Sequence, residues 1–172
     1  VTLVEGLDVI KLMGRWFDGL TSRRDYTRTC IVHQYGRMEM RERTDFSFED
    51  TRIHRDTSGQ MQTDTVRGER SSDANVQIPM EGSEKSKQAR FWVYKVGPLG
   101  RDSFGNWQYE YAITSNCMKD SVLVLARHPK RFDREYKKEV LEWMKGNGFE
   151  NQTLVQPVYT NCSYTDSFAV SY

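Results

Sequence analysis

The chain of 172 residues has no long apolar run and almost no net charge. A membrane-spanning helix needs about 20 consecutive apolar residues, and no stretch approaches that length. The 25 Lys and Arg residues are balanced by 24 Asp and Glu residues, for a net charge of +1. No stripe of basic residues interleaved with aromatic ones is present, which argues against nucleic acid as a partner. The compact basic cluster at residues 127–131 is interpreted as the solvated start of a helix.

The sequence also lacks the patterns of known catalytic and metal sites. His33, His54 and His128 are its three histidines, and no metal-ligand spacing relates them. It contains no nucleophile elbow, phosphate-binding loop or dinucleotide fingerprint. We therefore expect neither an enzyme nor a cofactor or metal. A catalytic variant of the fold predicted below would need a titratable group beside its ligand, and His33 is the only evident candidate.

Cysteine is scarce, and its count of three is odd. In a cytosolic protein Cys30, Cys117 and Cys162 would all be free thiols. Two glycosylation sequons, at Asn151 and Asn161, instead favour a secreted, extracellular protein.

Aromatic residues are plentiful in a polar background. Four Trp, nine Tyr and eight Phe accompany a mean hydropathy of −0.74. Short runs with period-two alternation, separated by turn signals, indicate about eight strands. This spacing predicts a mainly β fold, an eight-stranded up-and-down antiparallel barrel or calyx. The runs begin at Trp16 and continue at residues 29–41, where Gly36 indicates a bulge or bend between 29–35 and 38–41, and then at 45–50, 61–69, 76–78, 91–96, 107–114 and 121–127.

The period changes after the last of these runs. Tyr136, Val140, Trp143 and Met144 recur at helical spacing. They predict one amphipathic C-terminal helix within residues 130–146, packed on the barrel wall. The whole chain is then predicted to be a single domain: an N-terminal arm (1–12), a barrel (13–127), the helix, and a short final strand and tail (153–172).

Three segments resemble the lipocalin family. They are the stretch 8–16 that ends in Gly14-Arg15-Trp16, the strand 29–35 that contains Cys30, and Val124-Leu125-Ala126-Arg127-His128-Pro129. The likeness covers nearly the whole chain and is greatest to the apolipoprotein D branch. It implies a calyx that carries a small apolar ligand.

The resemblance also implies roles for particular residues. Gly14, Trp16 and Arg127 would form a structural latch at the closed end of the barrel. Cys30 would pair with Cys162 in a disulfide. Cys117 would then be free, or would bridge two chains in a homodimer.

Residues that share a strand face with apolar neighbours are the candidates for ligand binding. The set comprises His33, Tyr35, Met38, Met40, Phe48, Trp92, Tyr94, Tyr109, Tyr111, Leu123 and Leu125. A histidine in such a cavity could orient a carboxylate or hydroxyl, or could simply be hydrogen-bonded to a neighbouring strand, which is the favoured interpretation of His33. The aromatic residues could equally fill the closed end of the barrel.

Residues 37–69 are unusually charged, with Arg52 close to Glu49 and Asp50. The favoured interpretation is a salt-bridged outer surface. If some of these charges face inward, an amphipathic ligand is favoured over a pure hydrocarbon. The predicted function is extracellular binding or transport of a fatty acid, lysolipid, retinoid or steroid. The alternative is a structural or signalling module with a filled barrel, acting through its surface or a disulfide-linked dimer.

Overall fold

A computed structural model describes residues 4, 6–22, 28–41, 45–70, 77–79, 90–149 and 153–162. The sequon residue Asn151, the first residues of the N-terminal arm and the tail beyond residue 162 lie outside these described residues.

Strands make up about half of the described chain. One helical turn, α1 (Val9–Leu12), precedes them. The strands are β1 (Gly14–Thr21), β2 (Thr29–Met40), β3 (Phe46–Arg55), β4 (Met61–Arg70), β5 (Gln77–Pro79), β6 (Arg90–Val96), β7 (Leu99–Arg101), β8 (Trp107–Tyr109), β9 (Tyr111–Ser115) and β10 (Val122–Ala126).

Seven of the strands form one curled antiparallel sheet, in the order β4-β3-β2-β1-β10-β9-β6. The short β5 pairs with β6 through three residue pairs and with β4 through the single pair Glu69 and Gln77. Strands β7 and β8 form a separate two-stranded hairpin. The prediction of a mainly β, antiparallel fold is therefore confirmed.

The single C-terminal helix is also confirmed. It runs through α2 (Pro129–Arg131), a π-helical turn (Phe132–Tyr136) and α3 (Lys137–Gly146). Phe132, Val140 and Met144 are buried against the sheet. Gly19 of β1 makes room for this packing, because a Cβ there would lie 3.2 Å from the Phe132 ring.

Two apolar clusters lie on opposite faces of the curled sheet. The interior cluster contains residues of α1 and the concave face, among them Leu12, Trp16, Tyr35, Phe48 and Leu125. The helix-side cluster joins the outer face to the C-terminal helix and includes Tyr111, Ile113, Val124, Phe132, Val140 and Met144. Strand alternation allows one sheet to supply both clusters.

Two predicted strands differ from the structure. The run 107–114 is divided into β8 and β9 by a bend at Glu110, whose amide donates to the carbonyl of Pro98 instead of to a sheet partner. The final strand is reduced to one bridge between Thr21 and Val155. Beyond this bridge the tail is held by side chains: the Tyr159 hydroxyl accepts from the Asp18 amide, and Cys162 is bonded to Cys30.

Candidate functional site

Four charged side chains form a buried network on the concave face, here called the interior charge cluster. Nε2 of His33 lies 2.9 Å from Oδ1 of Asp18, and Nδ1 lies 3.2 Å from Oδ1 of Asp50. Nε of Arg52 donates to Oδ2 of Asp50 over 2.8 Å. All four residues are buried. Two carboxylates facing an imidazolium and a guanidinium make a group with no net charge.

The strand registers explain why these residues meet. His33 of β2 lies opposite Trp16 of β1 and Arg52 of β3. Asp18 and Asp50 are each two residues along their strands from a residue of that row, so they share its face. The interior charge cluster therefore follows from cross-strand pairing and is not contiguous in the sequence.

The cluster holds His33 in its charged form. Burial alone lowers the pKa of His33, but the Asp50 and Asp18 carboxylates raise it to about 9. Burial alone would raise the pKa of Asp50, but His33 and Arg52 keep it below its ordinary value. Burial and the nearby Asp50 charge raise the pKa of Tyr35 well above its ordinary range.

This geometry limits the chemistry that His33 can perform. Both ring nitrogens of an imidazolium are donors, and each already faces a carboxylate. No lone pair is then left to accept a proton from a substrate or to bind a metal. Among the described residues, no group of three or more His, Cys, Asp or Glu side chains is arranged to hold a metal ion.

Apolar and aromatic side chains border the charge cluster. The His33 and Tyr35 rings lie 6.4 Å apart, and the Tyr35 and Phe48 rings 5.0 Å apart. The structure thus brings together several predicted site residues on the concave face. Those buried there are His33, Tyr35, Phe48, Tyr109 and Leu125, and half-buried Met38 and Leu123 pack against them.

Four predicted site residues lie elsewhere. Trp92, Tyr94 and Tyr111 belong to the helix-side cluster, so the expectation that they face the interior is wrong. Tyr109 and Tyr111 point to opposite faces because the bend at Glu110 breaks the alternation between them. Met40 is 56% exposed at the end of β2, after a bulge between Gly36 and Glu39 that changes the register.

Sequence reasoning misses Asp18, Asp50 and Arg52 as site residues. The alternation of β3 does indicate two of them. Every second residue from 46 to 54 shares one strand face, so Asp50 and Arg52 lie on the same face as Phe48. The favoured interpretation of these charges as outer surface is wrong for Asp50 and Arg52, which are 0% and 3% exposed. The sequence around Asp18 shows no comparable alternation, because the pairing of β1 with β10 shifts register directly after Asp18.

The predicted latch residues lie together beside the interior cluster. The Arg127 guanidinium lies over the Trp16 ring and donates to the carbonyls of Tyr109, Arg15, Lys11 and Met13. Gly14 adopts a φ of +100°, a backbone conformation that residues with a Cβ rarely adopt. A Cβ at this position would also lie 3.3 Å from Nη1 of Arg127.

The predicted disulfide between Cys30 and Cys162 is confirmed, and it joins residues 132 positions apart. Cys117 is exposed and has no disulfide. Asn161 is exposed next to the bridge, and its glycosylation stays a prediction.

No protein-family model matches this chain, and no curated protein matches it. None of the helices that the structure describes is long and apolar enough to cross a membrane.

Proposed function

We propose that this protein is an extracellular carrier of the lipocalin type that binds one small amphipathic molecule on the concave face of its sheet. In this proposal β5 completes the curled sheet as an eight-stranded barrel. The pairs from β5 to both β4 and β6 support the closure, and the three sequence segments quoted above support the family.

The observation that carries the proposal is the interior charge cluster beside an aromatic wall. A core that only stabilised the fold would gain from replacing buried ion pairs with apolar side chains of similar volume, since desolvation offsets much of their attraction. Binding cavities, by contrast, combine apolar walls with a few placed polar groups. The juxtaposition of Asp18, His33, Asp50 and Arg52 with Tyr35 and Phe48 matches that combination.

The mechanism is enclosure. Transfer of a hydrocarbon chain or ring from water onto the interior cluster contributes about 25 cal/mol per Å² of apolar surface. The polar end of the ligand then hydrogen-bonds at the charge cluster, whose strands hold it in a fixed arrangement, so little ordering is needed on binding. Fatty acids, lysolipids, retinoids and steroids each combine a large hydrocarbon part with a polar group at one end.

A secreted location is part of the proposal. Disulfides persist in oxidising compartments, and the Cys30–Cys162 bridge is compatible with one. Glycosylation at exposed Asn161 would point the same way.

Titration calorimetry with oleate, retinoic acid and progesterone tests the proposal. We expect saturable 1:1 binding of at least one of the three. Leu123→Trp, which enlarges a side chain packed against the interior cluster, should weaken binding at least 10-fold. Met61→Trp, on the exposed start of β4, is the matched control and should leave binding unchanged. Absence of saturable binding to all three, or full binding by Leu123→Trp, would contradict the proposal.

Exposed Cys117 favours a second candidate, a module that acts as a disulfide-linked dimer. Its thiol lies in the β9–β10 turn beside Met118, which is 74% exposed. Non-reducing electrophoresis should then show a covalent dimer that Cys117→Ser abolishes. A monomer under oxidising conditions would reject this candidate.

A further inference from the structure

The β7–β8 hairpin and the neighbouring helix α1 carry a group of exposed apolar side chains. Eight large apolar side chains of the described residues are exposed, and four of them lie here. They are Ile10, Leu99, Phe104 and Trp107, here called the hairpin patch. Phe104 is 70% exposed and Trp107 is 49% exposed. Ile10 and Trp107 line one open groove between α1 and β8, so the patch extends from the hairpin onto α1.

The tip of the hairpin is the turn 102–106, and its backbone conformation is fixed by hydrogen bonds. Oδ1 of Asp102 accepts from the amides of Phe104 and Asn106 over 2.9 and 2.8 Å. The Gly105 amide donates to the Asp102 carbonyl, and Gly105 adopts a φ of +82°. Phe104 is therefore presented to solvent by a turn that is already ordered.

The same turn recurs at residues 56–60, between β3 and β4. Oδ1 of Asp56 accepts from the amides of Ser58 and Gln60, and Gly59 adopts a φ of +83°. Ser58 occupies the position that Phe104 holds in the hairpin. Because this turn forms with a small polar side chain at its tip, its geometry does not require an aromatic ring there. The exposure of Phe104 thus calls for an explanation outside the turn.

Arg101 places a cation beside the hairpin patch. It lies opposite Trp107 in the β7–β8 register, with its guanidinium carbon 4.5 Å from the centre of the indole ring. The N–H donors of a guanidinium lie in its plane, so stacking on a ring leaves them able to bind phosphate oxygens. The carboxylate of Asp102 is turned toward the amides of its own turn. Apolar side chains next to an indole ring and a cation are typical of segments that bind at the membrane–water interface.

The size of the hairpin patch favours a bilayer over a folded partner. An aromatic side chain buries roughly 150–250 Å², so four partly exposed side chains offer roughly 400 Å². A stable protein interface takes about 800 Å² from each partner, so a second copy or another protein would need much additional surface. A bilayer admits a protruding apolar tip without a matching shape. The exposed guanidinium of Arg101 is complementary in charge to the phosphate groups at its surface.

We propose that the β7–β8 hairpin docks this protein on the surface of a phospholipid bilayer. Phe104 inserts among the acyl chains, Trp107 lies at the level of the headgroups, and Arg101 donates to lipid phosphates. The inference does not rest on the proposed carrier function, because no residue of the hairpin patch belongs to the interior charge cluster.

Cosedimentation with vesicles of phosphatidylcholine, alone or mixed with phosphatidylserine, tests this inference. We expect the native protein to bind both kinds of vesicle. Phe104→Ser should lower the partition coefficient at least 10-fold, since it removes the inserted ring, and serine suits the turn as Ser58 does. Met118→Ser removes a similarly exposed apolar side chain from the β9–β10 turn and should bind like the native protein. No binding by the native protein, or equal binding by Phe104→Ser, would overturn the proposal.

Two further variants test the orientation on the bilayer. Arg101→Gln should weaken binding to the vesicles that contain phosphatidylserine about five-fold, the effect of one basic residue near an anionic surface. Tryptophan fluorescence of the native protein should shift to shorter wavelength on binding. Trp107→Phe should still sediment with vesicles but show no shift, because the other indole rings stay where they are. A shift retained in Trp107→Phe would place the contact elsewhere and reject the proposal.

Two controls separate this inference from its alternatives. Sedimentation equilibrium without lipid should show a monomer under reducing conditions. A dimer that Phe104→Ser dissociates would assign the hairpin patch to a second copy and reject the bilayer. Leu123→Trp, which should impair ligand binding at the interior cluster, should sediment with vesicles like the native protein. Loss of ligand binding with vesicle binding intact would therefore reject only the carrier function.

Discussion

The guanidinium carbon of Arg127 lies 3.4 Å from the centre of the Trp16 indole ring. Trp16 is fully buried, and its Nε1 donates to the carbonyl of Leu12. Arg127 donates to four carbonyls that belong to α1, β1 and β8 or lie beside them. One side chain directly after β10 thereby ties the N-terminal segment 11–15 to Tyr109 of β8, which lies far from it in the sequence.

Replacement of Arg127 by Met should therefore destabilise the fold. The variant leaves several carbonyls without their donor and removes the cation over the indole ring. We expect the free energy of unfolding to fall by about 3 kcal/mol in urea denaturation. Arg134→Met is the control, because Arg134 is 70% exposed and its pair with Glu135 contributes less than about 1 kcal/mol. Similar losses in both variants would contradict the role of Arg127.

The free energy of unfolding should decline at alkaline pH, because His33 then loses its proton. Its pKa rises from 6.5 to about 9 on folding, so its stabilisation is complete below pH 6.5 and is lost as the pH rises through 9. This shift corresponds to about 3 kcal/mol. Urea denaturation between pH 6 and 10 should show that decline in the native protein and a much smaller one in His33→Gln. Parallel curves for the two proteins would show that His33 is not held as an imidazolium.

The contribution of Asp50 to stability depends on pH in the opposite direction. Its pKa is lowered in the folded state, so its contribution is present above its ordinary pKa of 3.8 and is lost as the pH falls below that value. The acid limb of the same denaturation series should be shallower in Asp50→Asn than in the native protein. An unchanged acid limb would contradict this assignment.

Loss of the Cys30–Cys162 disulfide should be costly. The bridge spans 132 positions, and the chain-entropy model gives about 5 kcal/mol for a loop of this length. We expect the Cys30→Ser, Cys162→Ser double variant to unfold at markedly lower urea concentration. Cys117→Ser, which removes an exposed free thiol, should unfold like the native protein. A double variant as stable as the native protein would show that the tail is held by other contacts.

Gly68 should not tolerate a side chain. A Cβ at this position would lie 2.3 Å from Cζ of Phe48, which is fully buried and pairs with Gly68 across β3 and β4. We expect Gly68→Ala to lower the free energy of unfolding by about 1–3 kcal/mol. Gly36→Ala is the comparison, since a Cβ at Gly36 would meet nothing within 4 Å and the φ of Gly36 is not positive. Denaturation curves that do not separate the two variants would contradict the close packing.

Local sequence patterns predict the helix and the strands well. They predict poorly whether a strand residue faces the interior cluster or the helix-side cluster. The strands of the curled sheet, the C-terminal helix and the disulfide partners follow from alternation, helical spacing and the family resemblance. The sequence assigns Trp92, Tyr94 and Tyr111 to the wrong face, because alternation says which residues share a face without saying which face is concave. A bend at Glu110 then changes the alternation in a way that short windows do not register, whereas the bulge after Gly36, which the glycine indicates, takes Met40 off the face assigned to it.

What the sequence by itself determined is the type of element along the chain, since backbone preference and periodicity act over a few neighbouring residues. Only the tertiary structure decided that Asp18, His33, Asp50 and Arg52 form one buried neutral group, because their contacts depend on the registers of three strands. The same holds for the C-terminal tail, whose place depends on the Cys30–Cys162 disulfide and on the bridge between Thr21 and Val155.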